Sequence, residues 1–307
     1  MCIVDTTLGR SVMNQNNNPM LTSALVEELH IKSQVPKPTA RNTPLRYSSA
    51  HACGRQQGYA AFDAEATEPM DESGAWVTGL GTIIHEALQD AIGRRFPSAQ
   101  FEVTSQIGDF LSGSCDALIS THDVGSNYGG THVLYELKTM GTWAFDSQVG
   151  WARMRGTFSK EGPKGPAKKA ITQAGMNALG IESENKEIRI ETIIMGSIGF
   201  EALSKQKAKT MGIEGVNRFL AEFEVPREVW EDMALWEINR MSNLDYDIKN
   251  GYLPDRIAID DYANEVMLNP EGSAWQCEYC AFRSICQDDG SGQVLVTQSV
   301  LQKREEE

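Results

Sequence analysis

The 307-residue chain carries 28 basic and 42 acidic residues, a formal net charge of -14, and is 41% hydrophobic and 23% charged. That length admits one large domain or two ordinary ones, and the composition is that of a soluble globular protein rather than a fibrous or disordered one. No run approaches the roughly 18 uninterrupted apolar residues of a membrane span, and the N-terminal "MCIVDTTLGRSVMNQNNNPM" lacks the basic-then-apolar layout of a signal peptide, so the expected location is cytoplasmic with no membrane partner.

Residues 1–42 are polar and without sustained period, which reads as a mobile tail containing one short helix near Leu21 to His30. The folded domain is expected over 43–288, with a second mobile tail at 289–307. It opens near "RYSSAHACGRQQGY", where Ser48 and Ser49 are suited to cap a helix that carries Cys53. In "GLGTIIHEALQDAIG" (79–93) the apolar residues Leu80, Ile83, Ile84, Ala87, Leu88, Ala91 and Ile92 follow the spacing of a helix with one buried face. His85 falls at the edge of that face and Glu86 points away from it.

Three strands should follow. "FEVTSQI" (101–107) alternates apolar with polar residues, Gly108 and Asp109 make the turn, "FLSGSCDALIS" (110–120) returns, and "THVLYELKT" (131–139) follows a Gly/Asn-rich loop. In the last of these the period of two puts Glu136 and Lys138 on one face and Tyr135 and Leu137 on the other. "PAKKAITQAGMNALG" (166–180) predicts a helix ended by Gly180, and "IRIETIIM" (188–195) a strand. A long helix then opens at Pro226 and closes at Gly251. The expected fold class is α/β, a central mixed sheet flanked by helices.

Averages conceal one patch of charge. "RMRGTFSKEGPKGPAKK" (153–169) holds Arg153, Arg155, Lys160, Lys164, Lys168 and Lys169 against the single acid Glu161, six minus one, a local +5. Such a segment is either a solvated Gly/Pro-rich loop or an arm that follows a phosphate backbone. Near the other end, "WQCEYCAFRSICQ" (275–287) carries Cys277, Cys280 and Cys286. In a reducing compartment such cysteines point to metal binding or redox chemistry, yet three thiols fall one short of the four that a zinc site or an iron-sulphur cluster takes.

Taken singly, a helix histidine or an E-x-K pair in a strand has an ordinary structural explanation. Their order carries more. Gly81 and His85 (G-x-x-x-H), then Gly113 and Asp116 (G-x-x-D), then Glu136 and Lys138 (E-x-K), then Gln173 on a later helix resemble the RecB-like branch of the PD-(D/E)XK nuclease superfamily. The resemblance spans about residues 45–288 and implies a restriction-endonuclease-like sheet. Within that branch, the Cas-four exonucleases and the nuclease domain of AddB-type helicase-nucleases place one cysteine before the nuclease motifs and three after them, C-x-x-C-x-x-x-x-x-C. Cys53, 277 minus 53 or 224 residues before Cys277, matches the first, and Cys277, Cys280 and Cys286 match the trio.

The resemblance implies a [4Fe-4S] cluster on Cys53, Cys277, Cys280 and Cys286, a staple joining the N- and C-terminal segments of the domain. All-thiolate ligation suits zinc as well, and it is the resemblance that favours iron. Cys115 reads as a small core residue. The resemblance further implies magnesium or manganese held by His85, Asp116, Glu136 and the backbone carbonyl of Leu137, with Lys138 positioning the attacking water; Asp116, Glu136 and Lys138 are the catalytic residues. The chain departs from the family in placing Asn177 where a tyrosine often follows the glutamine, which removes a ring but keeps a polar group on the helix face. The implied activity is metal-dependent hydrolysis of DNA from an end, in recombination, repair or CRISPR-type processing, in phage or host. DNA with a free end or single-stranded would be the substrate, contacted by Gln173, Arg153, Arg155, Lys160, Lys164, Lys168 and Lys169. With no P-loop in the sequence, a helicase would be a separate partner, as would a recombinase or integrase. The alternative is a catalytically inactive nuclease fold that binds DNA or protein.

Overall fold

The computed structural model describes residues 45–67, 72–141, 165–199, 219–254 and 280–288, with short pieces at 144–145, 148, 153–154, 157–158, 209 and 294–295. Strand β1 (Leu45–Arg46) leads through a single 3-10 turn to helix α1 (Gly54–Ala61) and the long helix α2 (Glu72–Arg95). Strands β2 (Gln100–Ile107) and β3 (Leu111–Ser120) follow, then one helical turn, α3 (Thr121–Val124), and strand β4 (His132–Met140). Next come β5 (Arg153–Met154), β6 (Thr157–Phe158), helix α4 (Lys168–Glu184), β7 (Ile190–Gly199), β8 (Leu220–Pro226) and helix α5 (Arg227–Lys249). The described chain finishes with β9 (Tyr252–Leu253), α6 (Arg283–Asp288) and β10 (Val294–Leu295).

Six strands make the central sheet in the order β1-β3-β4-β7-β8, with β2 also on β3. It is mixed: β1 with β3 and β4 with β7 run parallel, while the β2-β3, β3-β4 and β7-β8 pairs are antiparallel. The protein is therefore of the expected class, a mixed α/β fold with a central sheet and flanking helices. Gly108, with a positive φ of 58°, makes the tight reversal between β2 and β3 that its lack of a Cβ permits.

One feature of the topology opens the sheet where the chemistry lies. β2 pairs with β3 from Leu111 to Leu118, so β1, at Leu111 and Ser112, and β4, from Ala117 to Ser120, must share the other edge. Residues 113–116 of that edge lie between the two and pair with neither. A strand edge cannot leave its polar groups bare in a core. Here side chains answer them: Asn177 of α4 donates to the Ser114 carbonyl (3.1 Å), and the Tyr47 ring lies against Gly113, where any Cβ would collide.

Helix α4 is the central layer. It is buried along nearly its whole length, between the sheet and α5, with Ala174, Ala178 and Ile181 packed against Leu134, Ile193 and Met195. Gly175 lets the two helices close up, since a Cβ there would meet Ala234 at 2.9 Å and the Trp230 carbonyl at 3.1 Å. A second core, built from Tyr47, Tyr59, Phe62, Leu111, Met176, Met241 and Phe282, joins the N-terminal segment to α5 and the C-terminal segment. An ion cluster ties the end of α4 to the start of α5: Arg227 bonds Glu182 (2.7 Å), Glu231 (2.6 Å) and the Ile190 carbonyl (2.9 Å).

Several expectations need correction. Helix α4 runs four residues past Gly180 to Glu184; that glycine is needed for close approach rather than termination, because a Cβ would run into the Tyr47 hydroxyl and Ser105. Cys53 is the N-cap of α1 rather than a residue within it, and Ser48 and Ser49 form the 3-10 turn before it. The apolar residues of α2 do not form one buried face: Ile83 is 48% exposed, Ala87 and Ala91 are exposed too, and it is Gly79 and Gly81 that are buried. Strand β8 was not expected, and the basic stretch includes the small antiparallel ribbon β5-β6. Val294–Leu295, within the expected C-terminal tail, pairs with Leu253 and Tyr252. The short helix expected near Leu21 to His30 lies outside the described residues. Among the described residues no helix is long and apolar enough to cross a membrane.

Candidate active site

The ladder between β3 and β4 stops at the Ala117–Tyr135 pair, and the next polar backbone group of β4, the Leu137 N–H, finds a side chain instead. It donates to Asp116 Oδ2 at 2.6 Å. The other Asp116 oxygen lies 3.4 Å from His85 Nδ1 on α2. Gly81, one turn before His85, stands close to Thr139 of β4, whose Oγ1 a Cβ there would meet at 3.0 Å. The G-x-x-x-H spacing thus sets the helix close enough to the sheet for the imidazole to reach the carboxylate. Burial alone would raise the Asp116 pKa, but the His85 contact, the Leu137 amide and the Lys138 charge outweigh it and hold the carboxyl below its ordinary value.

Glu136 and Lys138 share a face, as the period of two requires, and Lys138 Nζ donates to Glu136 Oε1 at 2.7 Å. Gln173 of α4 closes a triangle with them. Its Nε2 donates to the same Glu136 oxygen (2.9 Å) and its Oε1 accepts from Lys138 (3.1 Å). Glu136 is 2% exposed; burial, opposed by Lys138 and reinforced by Asp116, raises its pKa to about 7. Lys138 moves the other way from a buried lysine. Burial works to lower its pKa, but the carboxylates of Glu136 and Asp116 raise it, so the ammonium stays charged.

The residues expected to hold a metal are seen as two groups, His85 with Asp116 and Glu136 with Lys138 and Gln173. Among the described residues no three His, Cys, Asp or Glu side chains gather into a metal-holding group. Two carboxylates near one another in a buried site repel, and here each is answered by its own donors. One atom is left over: Glu136 Oε2 is buried with no hydrogen-bond partner. A carboxylate oxygen in that condition carries a desolvation cost with no return, and a hard cation is one group that would satisfy it. The Leu137 carbonyl leaves β4 on the same edge as the Leu137 N–H, the edge that faces Asp116. The donor set is all oxygen and imidazole, which fits magnesium or manganese.

Gln173, expected as a DNA contact, is committed by both amide atoms to Glu136 and Lys138 and so positions them. One turn on, Asn177 is fully buried and reaches the Ser114 carbonyl, which gives it a structural task. The spacing of Gln173 and Asn177 was visible in the sequence; their targets on two different strands were not. Cys115 is buried as expected, with burial and then Glu136 and Asp116 keeping its thiol protonated.

Of the expected cluster ligands, Cys53 is the N-cap of α1, Cys280 lies three residues before α6 and Cys286 lies within it. The two segments meet. The Tyr59 and Phe282 rings pack at 5.5 Å, and the Thr67 amide donates to the Ala281 carbonyl at 2.8 Å. Cys277 lies outside the described residues, as do Arg155, Lys160 and Lys164. Arg153 lies on β5, and Lys168 and Lys169 are in the first turn of α4, whose N-cap, Ala167, offers no side-chain cap.

No family profile and no curated protein matches the sequence. Among solved structures, the crystal structure of SSO0001 matches over 88% of this chain and 96% of that one, at 16% identity and a TM-score of 0.47.

Proposed function

We propose that the protein is a metal-dependent deoxyribonuclease of the PD-(D/E)XK type, hydrolysing DNA from an end. The observation that carries this reading is the buried Glu136, paired to a charged Lys138 through one oxygen and lacking any partner on the other, next to an ionised Asp116. His85, Asp116, Glu136 and the Leu137 carbonyl would hold magnesium or manganese. Such an ion supplies Lewis acidity toward a phosphate and lowers the pKa of bound water.

The chain's own residues supply the rest. Lys138 presents an ammonium that does not titrate near neutrality, suited to orient a water and to answer the negative charge that builds on a phosphate under attack. Gln173 fixes that ammonium from the α4 side, so its direction is set before substrate arrives. Asp116 holds the Leu137 amide, which fixes the end of β4 on which Glu136 and Lys138 stand. The four cysteines in the family layout, three of them in two segments that pack together, support a [4Fe-4S] staple. The basic stretch 153–169 supports a DNA backbone as the partner. A rival reading, a nuclease fold that binds DNA without cutting it, is favoured by the engagement of Glu136 Oε1 with both Lys138 and Gln173.

The two readings part at Lys138→Ala. For an enzyme, nucleotide release from end-labelled single- and double-stranded DNA with manganese or magnesium should fall by at least about 100-fold, the effect of removing one preorganised electrostatic partner, while DNA affinity changes little. Wild-type protein that releases no nucleotides with either metal, or a variant as fast as wild type, would establish the binding module instead.

A further inference from the structure

Helix α2 crosses the sheet on a line of residues four apart, which share one side of a helix. Gly81 stands close to Thr139 of β4, His85 Nδ1 lies 3.4 Å from Asp116 of β3, and Gln89 Nε2 donates to Glu102 of β2 at 3.1 Å. A Cβ on Gly93 would meet the Phe101 ring of β2 at 3.3 Å. His85 is therefore flanked on its own line by one close approach to β4 and by a hydrogen bond to Glu102.

Glu102 has a backbone that a strand does not ordinarily use. Its φ is +49°, in the left-handed region that residues with a Cβ seldom enter and that persists where neighbouring contacts impose it, often at functional sites. The ladder pairs Phe101 with Ala117 and Val103 with Cys115, so Glu102 comes opposite Asp116. Two carboxylates directly opposite on adjacent strands repel. Glu102 is engaged to either side of that position instead: Oε1 accepts from Gln89, and Oε2 accepts from the Ser114 hydroxyl at 3.1 Å. Gln89 is one turn beyond His85 on α2, and Ser114 is two residues before Asp116 on the same face of β3. One carboxylate thus ties the helix to the strand beside the two side chains that meet as His85 and Asp116.

We propose, on the basis of the cation site argued above, that Glu102 is a positioning residue for the His85–Asp116 pair, setting the distance between α2 and β3 at which imidazole and carboxylate can serve one cation. It acts through those two residues and is not itself a ligand: its two oxygens are turned to donors on α2 and β3, and among the described residues it forms no metal-holding group with them. Groups that orient metal ligands in this way commonly govern metal affinity as strongly as some ligands do. The left-handed backbone at Glu102 is the strain this clamp sustains.

Two substitutions test the role. Glu102→Gly removes the clamp but suits the left-handed backbone, so the variant should stay folded by circular dichroism. Its manganese affinity by calorimetry should fall by about 10-fold or more. Glu102→Gln removes the charge but keeps the clamp, because an amide can accept from one partner and donate to the other while the serine hydroxyl and the Gln89 amide turn to suit; its manganese Kd should return to within about 3-fold of wild type, as expected where the group orients ligands rather than binding the ion. In metal-free protein at one fixed pH, the His85 imidazole carbon signal, identified by its loss in His85→Asn, should move in Glu102→Gly and return in Glu102→Gln. A Glu102→Gly protein with wild-type manganese affinity and an unmoved His85 signal would overturn the role, even if it melted at a lower temperature. A Glu102→Gln protein that lost manganese as fully as Glu102→Gly would overturn it too, by making Glu102 a direct ligand. Wild-type protein that bound no manganese would defeat the proposed cation site, and the metal-free His85 signal would still decide whether Glu102 sets the pair.

Discussion

Asp116 Oδ2 accepts the backbone amide of Leu137 at 2.6 Å, across the point where strands β3 and β4 cease to pair. One carboxylate thereby closes the sheet and also stands among the groups proposed to hold the cation.

The two tasks separate by substitution. Asp116→Ala leaves the Leu137 N–H without its acceptor, a loss of about 1–3 kcal/mol for a buried donor, and should lower the denaturant midpoint accordingly. Asp116→Asn retains an amide oxygen for that bond and should recover most of the stability. Both should lose manganese binding by calorimetry, because a neutral amide is a poor substitute for a carboxylate toward a hard cation. Manganese affinity unchanged in Asp116→Asn would remove this residue from the cation site.

Glu136 predicts a pH dependence of stability in the metal-free protein. Its pKa lies near 7 in the folded state, raised by burial against an ordinary 4.5. Between those values the folded protein holds a proton that the unfolded chain has released, so the contribution of this group to stability falls as pH rises through that window. Unfolding titrations at several pH values, for wild type and Glu136→Gln, should give a difference that shifts in favour of the variant from pH 4.5 to 7. A flat difference would mean that Lys138 keeps Glu136 ionised throughout.

The local periods were legible, and so was the order of the chemistry. Alternation in "THVLYELKT" set Glu136 and Lys138 on one face, and Gly81 four residues before His85 gave the helix its close approach to β4. What was illegible depends on long-range neighbours. Gly180 reads as a helix stop because glycine commonly is one, but Tyr47 and Ser105, 133 and 75 positions away by subtraction, require it inside α4. The apolar positions of α2 read as buried because periodicity reports a stripe and is silent about what covers it. Two-residue strands such as β1 hold too few residues to show any period, yet β1 helps leave the β3 edge open beside Asp116.

The proposed [4Fe-4S] staple predicts a spectroscopic result. Anaerobically purified protein should be brown, with iron and acid-labile sulphide in near-equal amounts, and Cys53→Ser should lose both although Cys53 is remote in sequence from the trio. Loss of the cluster should also loosen the Tyr59–Phe282 contact and the Thr67–Ala281 bond, which would then join the two segments without the cluster's links between them. Faster proteolysis of the C-terminal segment would report it. Stoichiometric zinc without sulphide would sink the iron assignment while keeping the ligands.

The basic stretch tests the nucleic-acid partner by salt. The whole chain is acidic, so long-range attraction to a phosphate backbone has to come from a local concentration of cations, and 153–169 is where six basic residues face a single acid. Each phosphate neutralised by such a residue releases condensed counterions, which appear as roughly 0.7 to 0.9 units in the slope of log affinity against log salt. Replacing Lys160, Lys164, Lys168 and Lys169 with glutamine should therefore weaken DNA binding and flatten that slope by about three units if all four touch phosphates. Lys168 and Lys169 stand in the first turn of α4, one turn before Gln173, so that pair alone should account for contacts nearest the candidate active site. The pair variant should raise the DNA concentration needed for half-maximal cleavage more than it lowers the saturated rate, because neither residue touches Glu136 or Asp116 in the described contacts. An unchanged salt slope in the fourfold variant would make the stretch a solvated linker and move the DNA path elsewhere on the surface.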